Sequence, residues 1–121
     1  MNDNPKILNA QIKNVSIYYE DHGILTFGIA VDISDGTACV IGGYALDEYN
    51  KDTKKRQCCA YSMDLITRIM KVVGVNKWED CEGKYIRVVS NGSDRSITKI
   101  GNLMKDKWLD IPEFFKEYGI E

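Results

Sequence analysis

Between Leu25 and Ile33 every second residue is large and apolar: Leu25, Phe27, Ile29, Val31 and Ile33. A period of two is the period of a strand, and it places all five side chains on one face of a sheet, where a helix would scatter them around its circumference. The chain must therefore build a sheet with one buried face. Ile7 to Tyr19 alternates as well, but Leu8, Ala10 and Ile12 fall on even positions while Val15, Ile17 and Tyr19 fall on odd ones. A parity change inside one strand requires an extra residue, so a bulge or bend is expected near Lys13 and Asn14. The charged turn Glu20-Asp21-His22-Gly23 joins these two strands as a hairpin. Ser34-Asp35-Gly36 leads into a third strand over Thr37 to Tyr44, which loses its side chains at Gly42-Gly43. The three form an antiparallel meander.

From Leu46 to Gln57 the chain is strongly polar, which is loop composition. Cys59 to Val73 reads as a helix, because Met63, Ile66, Met70 and Val73 share one stripe, widened by Leu65 and Ile69, and Gly74 stands at the C-cap position. A connection over Trp78 to Lys84 precedes a second hairpin, Tyr85 to Val89 and Ile97 to Met104, around Asn91-Gly92-Ser93-Asp94. Asp110 caps a last helix near Pro112 to Tyr118, with Phe114, Phe115 and Tyr118 turned inward. The expected class is α+β: an antiparallel sheet of about five strands, a meander plus a hairpin, with one main α-helix and a short C-terminal helix.

With 121 residues the chain has the length of one ordinary domain, so residues 1–121 are read as a single unit. Lys and Arg number 16 against 18 Asp and Glu, a formal charge of -2, so the strongly basic surface that drives duplex binding is missing. No apolar run reaches the roughly 18 residues of a membrane span, and Met1 to Lys6 lacks the apolar stretch of a signal peptide; a cytosolic protein is expected. Of the four cysteines, Cys58 and Cys59 are adjacent and make a poor disulfide framework, so reduced thiols are expected. One histidine and no C-x2-C pair give no expectation of a metal or cofactor.

A catalytic nucleophile needs a base beside it, and His22 sits in a hairpin turn. Cys58 or Cys59 could pair with it; the plainer reading makes the cysteines packing residues and His22 a turn residue, and no catalytic residue is assigned. Anion capture has more to draw on. Lys54-Lys55-Arg56 precedes the main helix, where cations and free helix N–H groups can hold an anion together, although charge runs are commonly just solvated surface. Gly42-Gly43 is no nucleotide-binding glycine motif. Tyr18, Tyr19, Tyr44, Tyr49, Trp78 and Trp108 are rings on which a base could stack, at about 1–3 kcal/mol, or simply core residues. Lys105-Asp106-Lys107 before Trp108 combines cation, acceptor and ring in one loop. Ser90, Asn91, Ser93, Asp94 and Arg95 bring hydrogen-bonding groups to the second hairpin turn, which turn chemistry also explains.

Four segments, Glu20-Asp21-His22-Gly23-Ile24-Leu25-Thr26, Gly42-Gly43-Tyr44-Ala45-Leu46-Asp47, Trp78-Glu79-Asp80 with Gly83-Lys84, and Lys105-Asp106-Lys107-Trp108, together resemble a family of short phage and prophage proteins. That family is the first type of Thoeris anti-defence protein, and the resemblance runs from about Ile7 to Tyr118. It implies an antiparallel sheet with helices and a homo-oligomer, a dimer or a trimer of dimers, in the host cytosol. It also implies a sponge that sequesters the nucleotide immune signal glycocyclic ADP-ribose without cleaving it. Cyclic di- or trinucleotides are implied as a second ligand class at a separate site. Within the matching segments, residue chemistry nominates Arg56 with Lys107 or Lys105 for the diphosphate, Trp108 or Tyr44 for the adenine, and Asn91 or Asp47 for ribose hydroxyls, with Ser90 and His22 as further polar contacts. Neither duplex nucleic acid nor membrane is an expected partner. A rival reading is a phage protein–protein module that inhibits a host defence protein directly, through its sheet edge or acidic turns. Another is a single-stranded nucleic-acid binder, which the net negative charge disfavours.

Overall fold

The parity change in the first segment is resolved by a bulge. The structure is a computed structural model and describes residues 5–90 and 97–119. In it β1 (Lys6–Tyr19) pairs antiparallel with β2 (Leu25–Ile33), setting Ala10 against Ile33 and Ile12 against Val31. The register shifts between Ile12 and Asn14, after which Val15 meets Ile29 and Ile17 meets Phe27. Lys13 is the extra residue, and it lets both halves of β1 send their apolar side chains to the same face. β3 (Ala38–Ala45) continues the meander beside β2. Their register also shifts, beside Gly42, where an added Cβ would lie 2.2 Å from the Phe27 carbonyl oxygen; only glycine permits that approach.

The other edge of β1 carries β6 (Tyr85–Ser90), followed by β7 (Lys99–Asn102) and β8 (Trp108–Asp110), giving a six-stranded antiparallel sheet ordered β3-β2-β1-β6-β7-β8. The expected hairpin is thus present, and its turn residues Asn91-Gly92-Ser93-Asp94 lie outside the described residues. β8 was not expected: three residues are too few to display a period. The polar stretch read as a loop is a two-stranded ribbon of β4 (Asp47–Asn50) and β5 (Lys55–Cys58). The Asn50 side chain accepts from the N–H groups of Asp52 and Thr53, and Lys54 takes the left-handed φ of 58° that closes the turn. A ribbon of polar residues has no apolar alternation to show.

Helix α1 (Ser62–Val73) begins later than its pattern suggested, because the Cys59 thiol donates to the Leu46 carbonyl and ties that residue to the ribbon. Its buried arc is Leu65, Ile66, Ile69, Val72 and Val73, so Met63 falls off the face it was assigned to and stands 64% exposed. Gly74 ends the helix in the left-handed conformation with its N–H on the Met70 carbonyl, as expected. After a 3₁₀ turn at Trp78–Cys81 and the strands β6 to β8, Asp110 caps α2 (Ile111–Glu117) by accepting from the Glu113 N–H. Phe114 and Phe115 are buried as expected, whereas Tyr118 lies at the surface, its hydroxyl donating to Asp64 of α1. All four cysteines are free thiols.

The buried side chains form one cluster, to which β1, β2, β3, β6, β7 and β8 contribute one face of the sheet and both helices contribute their apolar sides. On the opposite face Ile7, Tyr18, Val40 and Tyr85 remain exposed. Among the described residues no helix is long and apolar enough to cross a membrane.

Candidate functional site

Where β3 runs out at Gly43 and Tyr44, the chain of α2 passes close by, and the two enclose an open groove of about 860 Å³. Its walls are Tyr44, Tyr61, Pro112 and Phe115, and Lys116 stands on its rim. Three rings stack along one side: Tyr44 lies 6.3 Å from Phe27 at 15° and 5.3 Å from Phe115 at 23°. Tyr61 meets Phe115 edge-on at 5.3 Å, and its hydroxyl donates to the Ala45 carbonyl at 3.2 Å. Burial, with the neighbouring Cys59, pushes that phenol up to about 12, so it keeps its proton at neutral pH.

Beside the groove, at the base of the ribbon, Asp47 is buried and accepts from the Leu25 N–H at 3.2 Å and from Arg56 Nε and Nη2 at 2.9 and 2.7 Å. The guanidinium holds the carboxyl below its usual range, with help from the Leu25 N–H. Arg56 Nη2 also donates to the Asp47 carbonyl, so this guanidinium is anchored to the base of the ribbon.

A second ring cluster lies on the other face of the sheet. Trp108 is laid flat over Gly101, where an added Cβ would fall 2.5 Å from ring carbon Cε3. The Arg87 guanidinium sits 4.6 Å and the Lys99 ammonium 5.5 Å from the centre of the ring, and the indole N–H donates to Asp106 at 3.0 Å. Arg87 is further held by the carbonyls of Asn102 and Lys105. Lys105 and Lys107 are exposed in the loop before Trp108, and among the described residues neither joins an ion pair.

The nominated residues therefore divide. Tyr44, Asp47 and Arg56 cluster at the end of β3 and the base of the ribbon; Lys105, Lys107 and Trp108 gather on the opposite face, at the β8 edge. His22 is exposed in the turn between β1 and β2. Ser90 lines a smaller recess of about 220 Å³ with Thr37 and Cys39, and Asn91 lies outside the described residues. Tyr61 and Lys116 of the groove, and Arg87 and Lys99 of the tryptophan cluster, were not singled out from the sequence, and Phe115 was read only as a core residue. For Arg87 a signal existed: it alternates with buried Ile86 and Val88 and so had to face outward. Among the described residues no group of three or more His, Cys, Asp or Glu could hold a metal ion. No family model matches the chain, and no curated protein or solved structure matches it.

Proposed function

We propose that the protein captures a small anionic nucleotide signal of the glycocyclic ADP-ribose kind and holds it unbroken, with cyclic di- and trinucleotides as a second ligand class. The supporting observation is the ring-walled groove between β3 and α2, whose 860 Å³ falls within the roughly 300–1,000 Å³ of small-molecule sites. A purine enters against Tyr61, Phe115 and Pro112, and the Lys116 ammonium takes a phosphate in exchange for its surface ion pair with Glu113. Depriving a receptor of its signal requires nanomolar capture, about −12 kcal/mol, which one lysine and a few rings do not supply. The remaining donors come from a further copy of the chain. The Trp108 cluster lies on the opposite face from the groove, so one nucleotide meets both only across two subunits. The reading thus includes a homo-oligomer.

The test mixes the protein with a panel of ADP-ribose isomers and cyclic oligonucleotides, removes free ligand, denatures the protein by heat and identifies what is released. Recovery of an unaltered signal is the expected result, with Lys116→Ala retaining less of it. Release of hydrolysed products, or of nothing, rejects the proposal.

A further inference from the structure

We propose that the open face of the sheet binds single-stranded nucleic acid across β6, β7 and β8, with Tyr85 and the stacked Arg87 and Trp108 as base platforms. Tyr85 is 54% exposed on the face that the helices leave bare, two residues before Arg87 on β6. Side chains two apart on a strand share a face, so the ring and the guanidinium are neighbours. Across the strands Arg87 is opposite Asn9 on one side and Gly101 on the other, and Gly101 is opposite Trp108. The glycine makes this row flat: with no Cβ beneath it the indole lies down on β7, and the guanidinium meets it at 4.6 Å. The carbonyls of Asn102 and Lys105 hold the guanidinium there, so its plane is set before a ligand arrives. Bases of an unpaired strand stack on such rings and guanidinium planes, and the exposed Asn9 amide is placed to bond a base edge.

Charge complementarity selects this occupant. The formal charge of -2 is an average over the chain, whereas a strand meets the local balance. Around the row stand Arg87, Lys99, Lys105 and Lys107, with Asp106 and Asp110 as the acids among them. Both acids are engaged: Asp106 accepts the indole N–H, and Asp110 accepts the Glu113 N–H at the start of α2. Of the acids nearby, Glu82 is turned to the Val15 N–H, and Asp32 lies on β2 with β1 between it and β6, 3.8 Å from the Lys13 ammonium. Phosphates therefore find cations beside the rings. Rings lying flat on a sheet reach splayed bases and not the stacked pairs of a duplex, so the strand must be single. The site belongs to one protomer and does not rest on what the groove holds.

Fluorescence anisotropy of end-labelled strands about ten nucleotides long, one of deoxythymidine and one of uridine, tests it on the full chain. Binding is expected to weaken roughly twentyfold between about 50 and 200 mM salt, as some three phosphates are neutralised. Tyr85→Ala is expected to weaken it about tenfold, and a strand of equal charge without bases to bind about tenfold less well than either oligonucleotide. Lys105→Glu with Lys107→Glu should lower affinity further and flatten the salt dependence. Lys54→Glu with Lys55→Glu, on the ribbon outside this sheet, and Lys116→Ala at the groove should change nothing. Binding of one sugar type or of both supports the face and identifies the strand; binding of neither overturns it. Equal binding of the baseless strand, a Tyr85→Ala protein of unchanged affinity, or an equal loss in the ribbon variant also overturns it. Loss in Lys116→Ala would put the strand in the groove and overturn the face, whereas a groove that releases no signal leaves it standing. Should Tyr85→Ala fail to fold, the paired lysine change in the exposed loop decides: unchanged affinity there overturns the proposal.

Discussion

Tyr44 and Trp108 are rings of similar reach on one sheet, held by opposite means. Tyr44 stands on the helix-covered face, stacked with Phe27 and Phe115. Trp108 lies on the open face, flat on a glycine, with two cations over it and its indole N–H on a carboxylate. The first arrangement excludes water and makes a stiff wall; the second keeps positive charge next to a solvated ring. Apolar shape and positive charge are thus supplied separately, on opposite faces of a single protomer.

The hardest blow to this contrast is Phe115→Ala. Phe115 touches Tyr44, Tyr61 and Phe114 and is 8% exposed, so removing it opens the stack and the groove wall together. A loss of about 3–5 kcal/mol in urea unfolding is expected for a buried phenylalanine. α2 should loosen with it, since seven residues do not hold a helix without tertiary packing. A loss under about 1 kcal/mol would show that the stack is not part of the cooperative core and that Tyr44 is as free as an exposed ring.

On the Trp108 side the corresponding change is Gly101→Ala. The new methyl group would fall 2.5 to 2.7 Å from three ring carbons, so the indole must lift from the sheet and leave Arg87 and Lys99. The expected cost is smaller, about 1–3 kcal/mol, because a half-exposed ring can relax outward. Its signature is a shift of indole emission toward that of a water-exposed ring, best read in a Trp78→Phe background. The buried Trp78 Nε1 has no partner among the described residues, so that replacement removes no hydrogen bond. Unchanged emission would mean that the ring does not rest on Gly101.

Much of the sheet was legible because its signals are local. The alternation in β2 and the parity change in β1 state their own burial, and Gly74 and Asp110 mark helix ends by chemistry close at hand. The ribbon was not legible, since apart from buried Asp47 its residues are exposed or half-buried and polar residues carry no period. The helix stripe was placed one side chain off at Met63, because the face that α1 buries is fixed by the strands beneath it. Where the nominated residues sit relative to one another was not legible. Tyr44 and Trp108 could be named as rings, yet the register of β6, β7 and β8 decides that they point away from each other. Arg56 looked like a free cation in sequence, and only the pairing of Tyr49 with Arg56 across the ribbon brings its head group back to Asp47. Lys116 entered the groove through the packing of α2, which no nearby residue announces.

The mildest test concerns a proton on the covered side. Tyr61 titrates near 12 rather than 10.0 because its hydroxyl is buried, and the fold therefore binds that proton more tightly than the unfolded chain does. The stabilisation this provides is complete below pH 10 and is lost as pH climbs from 10 through about 12. Tyr61→Phe should cost about 0.5–1.5 kcal/mol at neutral pH, for the hydrogen bond to Ala45, and should flatten the decline of stability across that alkaline window. The Trp108 ring does not ionise, so the difference between wild type and Tyr61→Phe reports the groove, over a slope to which the buried Cys81 thiol, raised to about 11, also contributes. If wild type and Tyr61→Phe lose stability in parallel between pH 10 and 12, the hydroxyl is not shielded as placed, and the groove is wetter than the ring stack implies.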